Sequence, residues 1–165
     1  MSTPLFPTLR ISDRGLCDYE RAHDEQLRLV EVLRADPAAD DVCLMLEHPP
    51  VFTLGRNGSA AHLGVSEEFL RERNIRLITV ERGGQITYHG PGQLVCYPIF
   101  NLKRSGFSVA QFVGALEEVM LRVARAFGCT AERDARNHGI WCNGNKLGSV
   151  GIAIHARGNE LRLEG

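Results

Sequence analysis

The longest regular pattern of apolar positions lies in residues 108–127 and predicts a helix there. Ser108 and Gln111 have the spacing of a capping box, in which each side chain satisfies a free backbone N–H at the helix start. Gly128 follows the last apolar position, where glycine commonly ends a helix. The stripe expected to be buried comprises Phe112, Val113, Leu116, Val119, Met120, Val123 and Phe127.

Two further helices are predicted nearer the N-terminus. Residues 18–33 show mostly helical spacing, and Asp36-Pro37 ends the pattern. Its apolar positions are Tyr19, Ala22, Leu27, Val30 and Leu33. Residues 66–73 predict a short helix, with Ser66 as the N-cap and two glutamates in the first turn.

Short apolar or alternating runs predict strands between and after these helices. They are residues 41–46, 51–54, 75–80, 94–99, 139–142 and 146–154. The last two flank Asn143-Gly144-Asn145, which is a hairpin signal. Because hairpins rather than regular βαβ units connect the later strands, we expect an α+β fold, within mixed α/β, and one continuous domain over residues 1–165.

Composition narrows the function classes. The net charge of −1 gives no basic field for nucleic acid or an anionic membrane surface. No apolar run is long enough to span a bilayer, and the N-terminus has no secretory pattern. The five cysteines are odd in number and scattered, which argues against a disulfide framework and a zinc site. We therefore expect a cytoplasmic protein with no metal site and no cofactor.

Glycines and one histidine are concentrated in residues 82–93, RGGQITYHGPGQ. Gly83 and Gly84 allow close backbone approach, and N–H groups there can hold a carbonyl oxygen or a carboxylate beside the charge of Arg82. The spacing matches neither a phosphate-binding P-loop nor a dinucleotide fingerprint. From the residues alone, two readings stay open: an anion or carbonyl cradle, or two tight turns with His89 as a structural histidine.

Three ordered segments resemble the lipoyl(octanoyl) transferase family. They are residues 47–56 (EHPPVFTLGR), residues 82–98 (RGGQITYHGPGQLVCYP), and residues 139–141 (GIW) followed by residues 146–151 (KLGSVG). Together they cover roughly residues 41 to 154. The resemblance implies a fold like the catalytic domain of lipoate and biotin ligases, with a mostly antiparallel, mixed sheet flanked by helices.

The resemblance also implies a reaction. Such enzymes move an octanoyl group from acyl carrier protein to a lysine of lipoyl domains, in 2-oxoacid dehydrogenases and in the glycine cleavage H protein. A cysteine would form an acyl-thioester, and Lys146 would activate it and the incoming amine. The residues implied to bind the acyl substrate are Arg82, Gly83, Gly84, Gln85, Ile86, Thr87, Tyr88, His89, Ser149, Val150 and Gly151.

The sequence departs from the family after Ile154, where a proline-cysteine-glycine segment with the nucleophile is expected and a polar tail stands instead. We expect Cys17, Cys43, Cys96 and Cys129 to be packing residues and give Cys142 little weight as a nucleophile. The domain is therefore expected to be C-terminally incomplete, with little or no transferase activity. Two alternatives stay open: an ATP-dependent lipoate or biotin ligase, which would form octanoyl-AMP, and a non-catalytic acyl or carrier-protein binding module.

Overall fold

A computed structural model describes residues 8–59, 63–134, 137–157 and 160–164, with side chains up to residue 154. Residues 1–7, part of the stretch inspected for a secretory pattern, lie outside this range. The chain forms two compact units. The first comprises Met1–Asn101 and Ile152–Gly165, and the second comprises Leu102–Gly151.

Four helices occur in the described residues: α1 (Tyr19–Ala35), α2 (Glu67–Glu72), α3 (Leu102–Ser105) and α4 (Val109–Ala126). The three predicted helices are confirmed as α1, α2 and α4. Ser66 accepts a hydrogen bond from the Phe69 N–H, and Ser108 and Gln111 form both bonds of the capping box. The short α3 was not predicted, because a single turn is too short to show periodicity.

The buried faces of the long helices differ from the predicted stripes. In α4, Val119, Val123 and Phe127 are exposed. The buried positions are Phe112, Val113, Glu117, Leu121 and Ala124. A charged residue lies within the buried face, so a stripe drawn through apolar residues alone is rotated away from it. In α1, Leu27 is likewise exposed, and Gln26 and Leu29 are buried instead.

The first unit contains a five-stranded sheet in the order β1-β2-β6-β11-β10. The strands are β1 (Leu9–Leu16), β2 (Asp41–Glu47), β6 (Val95–Asn101), β10 (Ala153–Arg157) and β11 (Glu160–Glu164). β1 runs parallel to β2, and the remaining pairs are antiparallel. Alternate residues of β2 and β6 meet α1 in one core, formed by Leu29, Val30, Leu33, Val42, Leu44, Leu46, Val95, Tyr97 and Ile99.

A second sheet of the same unit has the order β4-β3-β5. β3 (Val51–Leu54) lies between β4 (Arg76–Thr79), which is parallel to it, and β5 (Ile86–His89), which is antiparallel. The segment between β4 and β5 is the glycine loop, so the register of β3 fixes where that loop begins and ends.

The second unit contains β7 (Ala131–Asp134), β8 (Asn137–Cys142) and β9 (Asn145–Ser149) in an antiparallel sheet. The predicted hairpin is confirmed: Asn143 and Gly144 both have positive φ, at 51° and 78°, as a type I′ turn requires. The core of this unit comprises Leu121, Ala124, Ala131 and Ile140.

The prediction of one strand over residues 146–154 is wrong. β9 ends at Ser149, and the chain enters β10 only at Ala153. Between the two strands, Val150 N–H donates to the His138 oxygen at 3.5 Å, and the Ile152 oxygen accepts from Gly83 N–H at 3.2 Å within the first unit.

Four strands were not predicted: β1, β7, β10 and β11. β1 (LRISDRGL) and β7 (AERD) carry charged residues and lack clean alternation. The tail read as polar after Ile154 continues as a hairpin whose second strand pairs with β6. The mixed sheets and segregated helices confirm the α+β class. No helix of the described residues is long and apolar enough to cross a membrane.

Replacing Ser108 with Ala should lower the free energy of unfolding by about 1 kcal/mol, because the Gln111 N–H loses its acceptor. Ser108→Asp is the matched control, since aspartate caps as well as serine and should restore most of the loss. Urea unfolding followed by circular dichroism measures both variants. Equal stability of Ser108→Ala and the unmodified protein would contradict the assigned cap.

Candidate functional site

Arg82 connects the glycine loop by hydrogen bonds to β3, the central strand of the smaller sheet. Its Nη2 donates to the Thr53 carbonyl oxygen at 3.0 Å and to Thr53 Oγ1 at 2.7 Å, and its Nη1 donates to the Gly83 oxygen at 2.8 Å. Burial lowers the pKa of the guanidinium. Among the described residues no carboxylate pairs with Arg82, so its positive charge is not neutralised locally.

The loop lies against the end of β3 so closely that one position must be glycine. A Cβ on Gly55 would lie 2.7 Å from the Gly84 oxygen and 2.9 Å from Arg82 Nη1. Backbone bonds hold this contact: Gly55 N–H donates to the Gln85 oxygen at 2.6 Å, and Arg56 N–H donates to the Arg82 oxygen at 3.1 Å. The loop conformation is therefore fixed by backbone contacts.

The two loop glycines have different roles. Gly83 N–H donates to the Ile152 oxygen at 3.2 Å, so it is not available to a ligand. Gly84 has φ of +84°, and its N–H has no partner within the described chain. Of the two glycine N–H groups expected to bind a carbonyl oxygen or a carboxylate, only Gly84 N–H is without a partner in the described chain, and it lies beside the charge of Arg82.

His89 lies at the end of β5, next to a tight turn. Gln93 N–H donates to the Gly90 oxygen at 3.1 Å, with Pro91 at the second position and Gly92 at φ +85°, which is the pattern of a type II turn. His89 Nδ1 lies 2.6 Å from Gln93 Oε1. Because that oxygen can only accept, Nδ1 carries the proton and Nε2 presents a lone pair.

A second histidine, not selected from the sequence, lies behind His89. His48 is fully buried, and its ring centroid is 5.6 Å from that of His89. Its Nδ1 donates to the Cys17 carbonyl oxygen at 2.6 Å, so its Nε2 accepts from Tyr97 Oη at 2.8 Å. Burial lowers the pKa of both histidines and raises the pKa of Tyr97. The sequence feature that could have identified His48 is its position directly after an apolar strand.

The remaining predicted residues of this segment line up along β5. Ile86 and Thr87 are half-buried opposite Leu54 and Thr53, and Gln85 is exposed. Tyr88 is exposed, and its ring lies 5.0 Å from that of Phe52. The structure thus brings Arg82 to His89 together in the first unit.

Lys146 belongs to the second unit, on β9. Its Nζ lies 5.0 Å from the centroid of the Trp141 ring, which faces it in the β8–β9 ladder. Partial burial lowers the pKa of the amine, whereas the aromatic ring favours the charged form. Ser149 pairs with Gly139, while Val150 and Gly151 are half-buried after the strand.

The cysteines form two close pairs and one buried single residue. Cys43 and Cys96 have sulfur atoms 2.9 Å apart, and those of Cys129 and Cys142 are 2.8 Å apart. Cys17 and Cys43 are buried as expected, but the expectation of a buried Cys96 is wrong. On β6, Val95 and Tyr97 point into the α1 core, so Cys96 projects from the opposite face.

Cys142 does not share a face with Lys146. Trp141 is paired with Lys146, and Cys142 is paired with Asn145, one step further along the ladder. Since side chains alternate along a strand, these two pairs project to opposite faces. Within the described residues, no group of three or more histidine, cysteine or acidic side chains has the geometry of a metal site.

Comparisons with known proteins agree with this geometry. Residues 18–159 match the family described as lipoyl protein ligase A/B catalytic domain. The chain is 44% identical over 144 residues to an octanoyltransferase of Desulfotalea psychrophila, covering 86% of this chain and 65% of that protein. It is 45% identical over 140 residues to an octanoyltransferase of Syntrophobacter fumaroxidans, covering 85% and 61%. The chain thus spans somewhat under two thirds of the length of these two relatives.

Solved structures show the same fold. The bipartite lipoate protein ligase from Thermoplasma acidophilum superposes with a TM-score of 0.67 at 15% identity, covering 96% of this chain and 60% of that one. A lipoate-protein ligase A bound with ATP has a TM-score of 0.65 at 15% identity, covering 96% and 64%. The predicted resemblance to the lipoate-ligase fold is therefore confirmed.

The two buried histidines predict how stability depends on pH. Burial holds the folded-state pKa of His48 and His89 below the unfolded value of about 6.5. As the pH falls through about 6.5, the unfolded chain gains protons that the folded chain does not, so stability should decrease. Urea midpoints between about pH 7 and pH 5 measure this, and His89→Gln should reduce the slope. A flat profile would contradict the assigned neutral histidines.

Proposed function

The chain belongs to the lipoyl protein ligase A/B catalytic domain family, and from that premise we propose that it serves in octanoyl transfer during protein lipoylation. The donor is the thioester of octanoyl-acyl carrier protein, and the acceptor is a lysine amine on a lipoyl domain. The acceptor proteins are the 2-oxoacid dehydrogenases and the glycine cleavage H protein. No cofactor enters the proposal.

One observation carries the choice of reaction within the family. The relatives at 44% and 45% identity over most of this chain are named octanoyltransferase. The solved lipoate ligases are only 15% identical and support the fold alone. The lysine segment KLGSVG also lacks the lysine-x-x-glycine-serine-alanine order of ligases. An ATP-dependent ligase and a non-catalytic acyl-binding module remain alternatives, and each is an outcome of the experiments below.

We assign the acyl carbonyl to the loop of residues 82–89. Gly84 N–H makes no hydrogen bond within the described chain, and the charge of Arg82 lies beside it without a carboxylate partner among the described residues. A donor and a fixed charge near a thioester oxygen stabilise the negative charge that develops there during attack. The neutral His89 presents a lone pair on Nε2. This lone pair is suited to accept a hydrogen bond from the incoming amine.

Lys146 is proposed to accept the proton of the acceptor amine and to transfer it to the leaving thiolate. Attack of the lipoyl-domain amine on the carbonyl forms the C–N bond, breaks the C–S bond and releases the carrier thiolate. The proton lost by the amine passes to the neutral form of Lys146 and from there to the thiolate. A lowered lysine pKa makes that neutral form more abundant near physiological pH. Ser149, Val150 and Gly151, which belong to the same unit as Lys146, are also proposed to bind the acyl substrate.

The family chemistry includes an acyl-cysteine intermediate, and we propose that Cys17, Cys43, Cys129 and Cys142 do not fill that role efficiently. Cys142 projects away from Lys146, and Cys129 contacts Cys142. Cys17 and Cys43 are buried, and burial with the contact to Cys96 keeps Cys43 in the thiol form. We therefore expect little or no transferase activity from this chain, so transfer is measured best under single-turnover conditions.

Lys146→Ala should abolish single-turnover transfer of octanoyl from octanoyl-acyl carrier protein to a lipoyl domain, because the proton acceptor is lost. The chain has two lysines, so Lys103→Ala is a matched control that should keep the rate of the unmodified protein. Intact mass spectrometry of the lipoyl domain measures transfer. Equal transfer by both variants would contradict the role of Lys146.

The same mixtures separate the alternative functions. Octanoyl-AMP formed from octanoate and ATP would establish a ligase. Saturable binding of octanoyl-acyl carrier protein that survives Lys146→Ala, with no octanoylated lipoyl domain in any mixture, would establish a binding module. Transfer from the thioester without ATP supports the proposal.

Intact mass of the chain itself, after incubation with octanoyl-acyl carrier protein alone, should show no stable octanoyl adduct. The reason is the burial of Cys17 and Cys43 and the projection of Cys142 and Lys146 to opposite faces of the β8–β9 ladder. A single octanoyl adduct on a cysteine would overturn this expectation, and peptide mapping would then identify the nucleophile.

A further inference from the structure

A carboxylate on helix α4 is buried inside the second unit. This helix faces the hairpin of β8 and β9, which carries Lys146. The side chain of Glu117 on α4 is only 11% exposed. Its Oε1 accepts from Gly139 N–H at 3.0 Å and lies 3.3 Å from His138 Nδ1, and its Oε2 accepts from Arg133 Nε at 3.1 Å. A buried carboxylate is retained only when such partners compensate for its desolvation.

The residue that Glu117 binds is a glycine with no tolerance for a side chain. Gly139 has φ of +138°. A Cβ there would lie 2.2 Å from the Gly148 oxygen and 3.0 Å from Lys146 Cε. The stem of Lys146 therefore passes directly over the bare backbone of Gly139, so any shift of Gly139 moves the surface on which the lysine lies.

An irregularity in the ladder directs the lysine to this surface. Ile140 pairs with Gly148 and Trp141 pairs with Lys146, which leaves Leu147 as an extra residue on β9. A bulge of this kind changes the direction in which neighbouring side chains project. Leu147 is exposed, and Lys146 lies between the Trp141 ring and Gly139.

We propose that Glu117 is a positioning residue for Lys146: its bond to Gly139 N–H fixes the glycine backbone that supports the lysine stem. This inference rests on the proposed function only for the consequence in acyl transfer. The geometric claim itself concerns α4, β8 and β9 of one unit. Breaking the Glu117–Gly139 bond would release the start of the hairpin, and the exposed lysine side chain would lose the Gly139 surface on which its stem lies.

A merely structural role makes a different prediction. If Glu117 only joined α4 to β7 through Arg133, removing it would lower stability and leave the environment of Lys146 unchanged. Burial is the cause that lowers the Lys146 pKa, so that pKa reports directly on the position of the amine. Among the described residues, the other titratable or charged groups on the Glu117 side are His138, which contacts the same carboxylate oxygen, and Arg133, which also binds Glu118.

The test uses lysine labelled with carbon-13 at Cε, whose chemical shift follows protonation of the amine. With two lysines in the chain, Lys103→Arg leaves Lys146 as the single labelled lysine. Four variants are titrated in this background: Glu117→Ala, Glu117→Asp, Glu117→Gln and Glu118→Ala. Glu118 is the matched control because it shares Arg133 with Glu117 but has no bond to β8.

Glu117→Ala should raise the Lys146 pKa towards its ordinary value by more than the scatter of replicate titrations. Glu117→Gln should keep the original pKa, because its amide oxygen can still accept from Gly139 N–H. Glu118→Ala should also keep it. Glu117→Asp retains the charge, but its side chain is shorter by one methylene group and would not reach Gly139 N–H. It should therefore raise the Lys146 pKa as well. If Glu117→Ala does not fold, the aspartate variant decides.

An unchanged Lys146 pKa in folded Glu117→Ala or Glu117→Asp would overturn the proposal, as would the same rise in Glu118→Ala. The titration needs no acyl substrate. If Lys146→Ala left transfer intact while Glu117 still controlled the lysine pKa, the proposed role of Lys146 in transfer would fail and the positioning role would stand. If no octanoyl transfer occurred at all, the proposed function would fail and the titration would still decide the positioning role.

Discussion

The hydrogen bonds from Arg82 to Thr53 join the glycine loop to the buried middle strand of the smaller sheet. The same loop lies against Gly55, where a Cβ would not fit. Because the guanidinium is satisfied by neutral oxygens, its charge remains available to a polarised carbonyl. The loop is thereby organised before any ligand arrives, which is the condition for electrostatic stabilisation without reorganisation.

The β8–β9 hairpin of the second unit shows a similar arrangement, with a negatively charged side chain in place of the positively charged Arg82. There a buried carboxylate, Glu117, binds the backbone of a glycine, Gly139, against which the stem of Lys146 lies. In both places a charged side chain binds backbone beside a position that admits no Cβ. The glycines supply close approach, and the charged groups restrict the freedom that glycine would otherwise have.

Much of the fold followed from the sequence where periodicity or turn chemistry was strong. The capping box at Ser108 and the turn at Asn143-Gly144 were predictable, since both depend on short-range backbone bonds. The edge strands were not, because solvent-facing charges hide alternation. Single buried polar residues were also missed: His48 and Glu117 are buried through partners that are 31 or more, and 16 to 22, positions away in sequence, which local patterns do not contain.

The central proposal is that residues 82–89 bind the acyl group of octanoyl-acyl carrier protein. A photoreactive octanoyl thioester of acyl carrier protein, with a diazirine in its acyl chain, tests this most directly. After irradiation and peptide mapping, labels should fall in residues 82–89 and disappear when unlabelled octanoyl-acyl carrier protein competes. Labels confined to other segments, or labels that competition leaves unchanged, would contradict it.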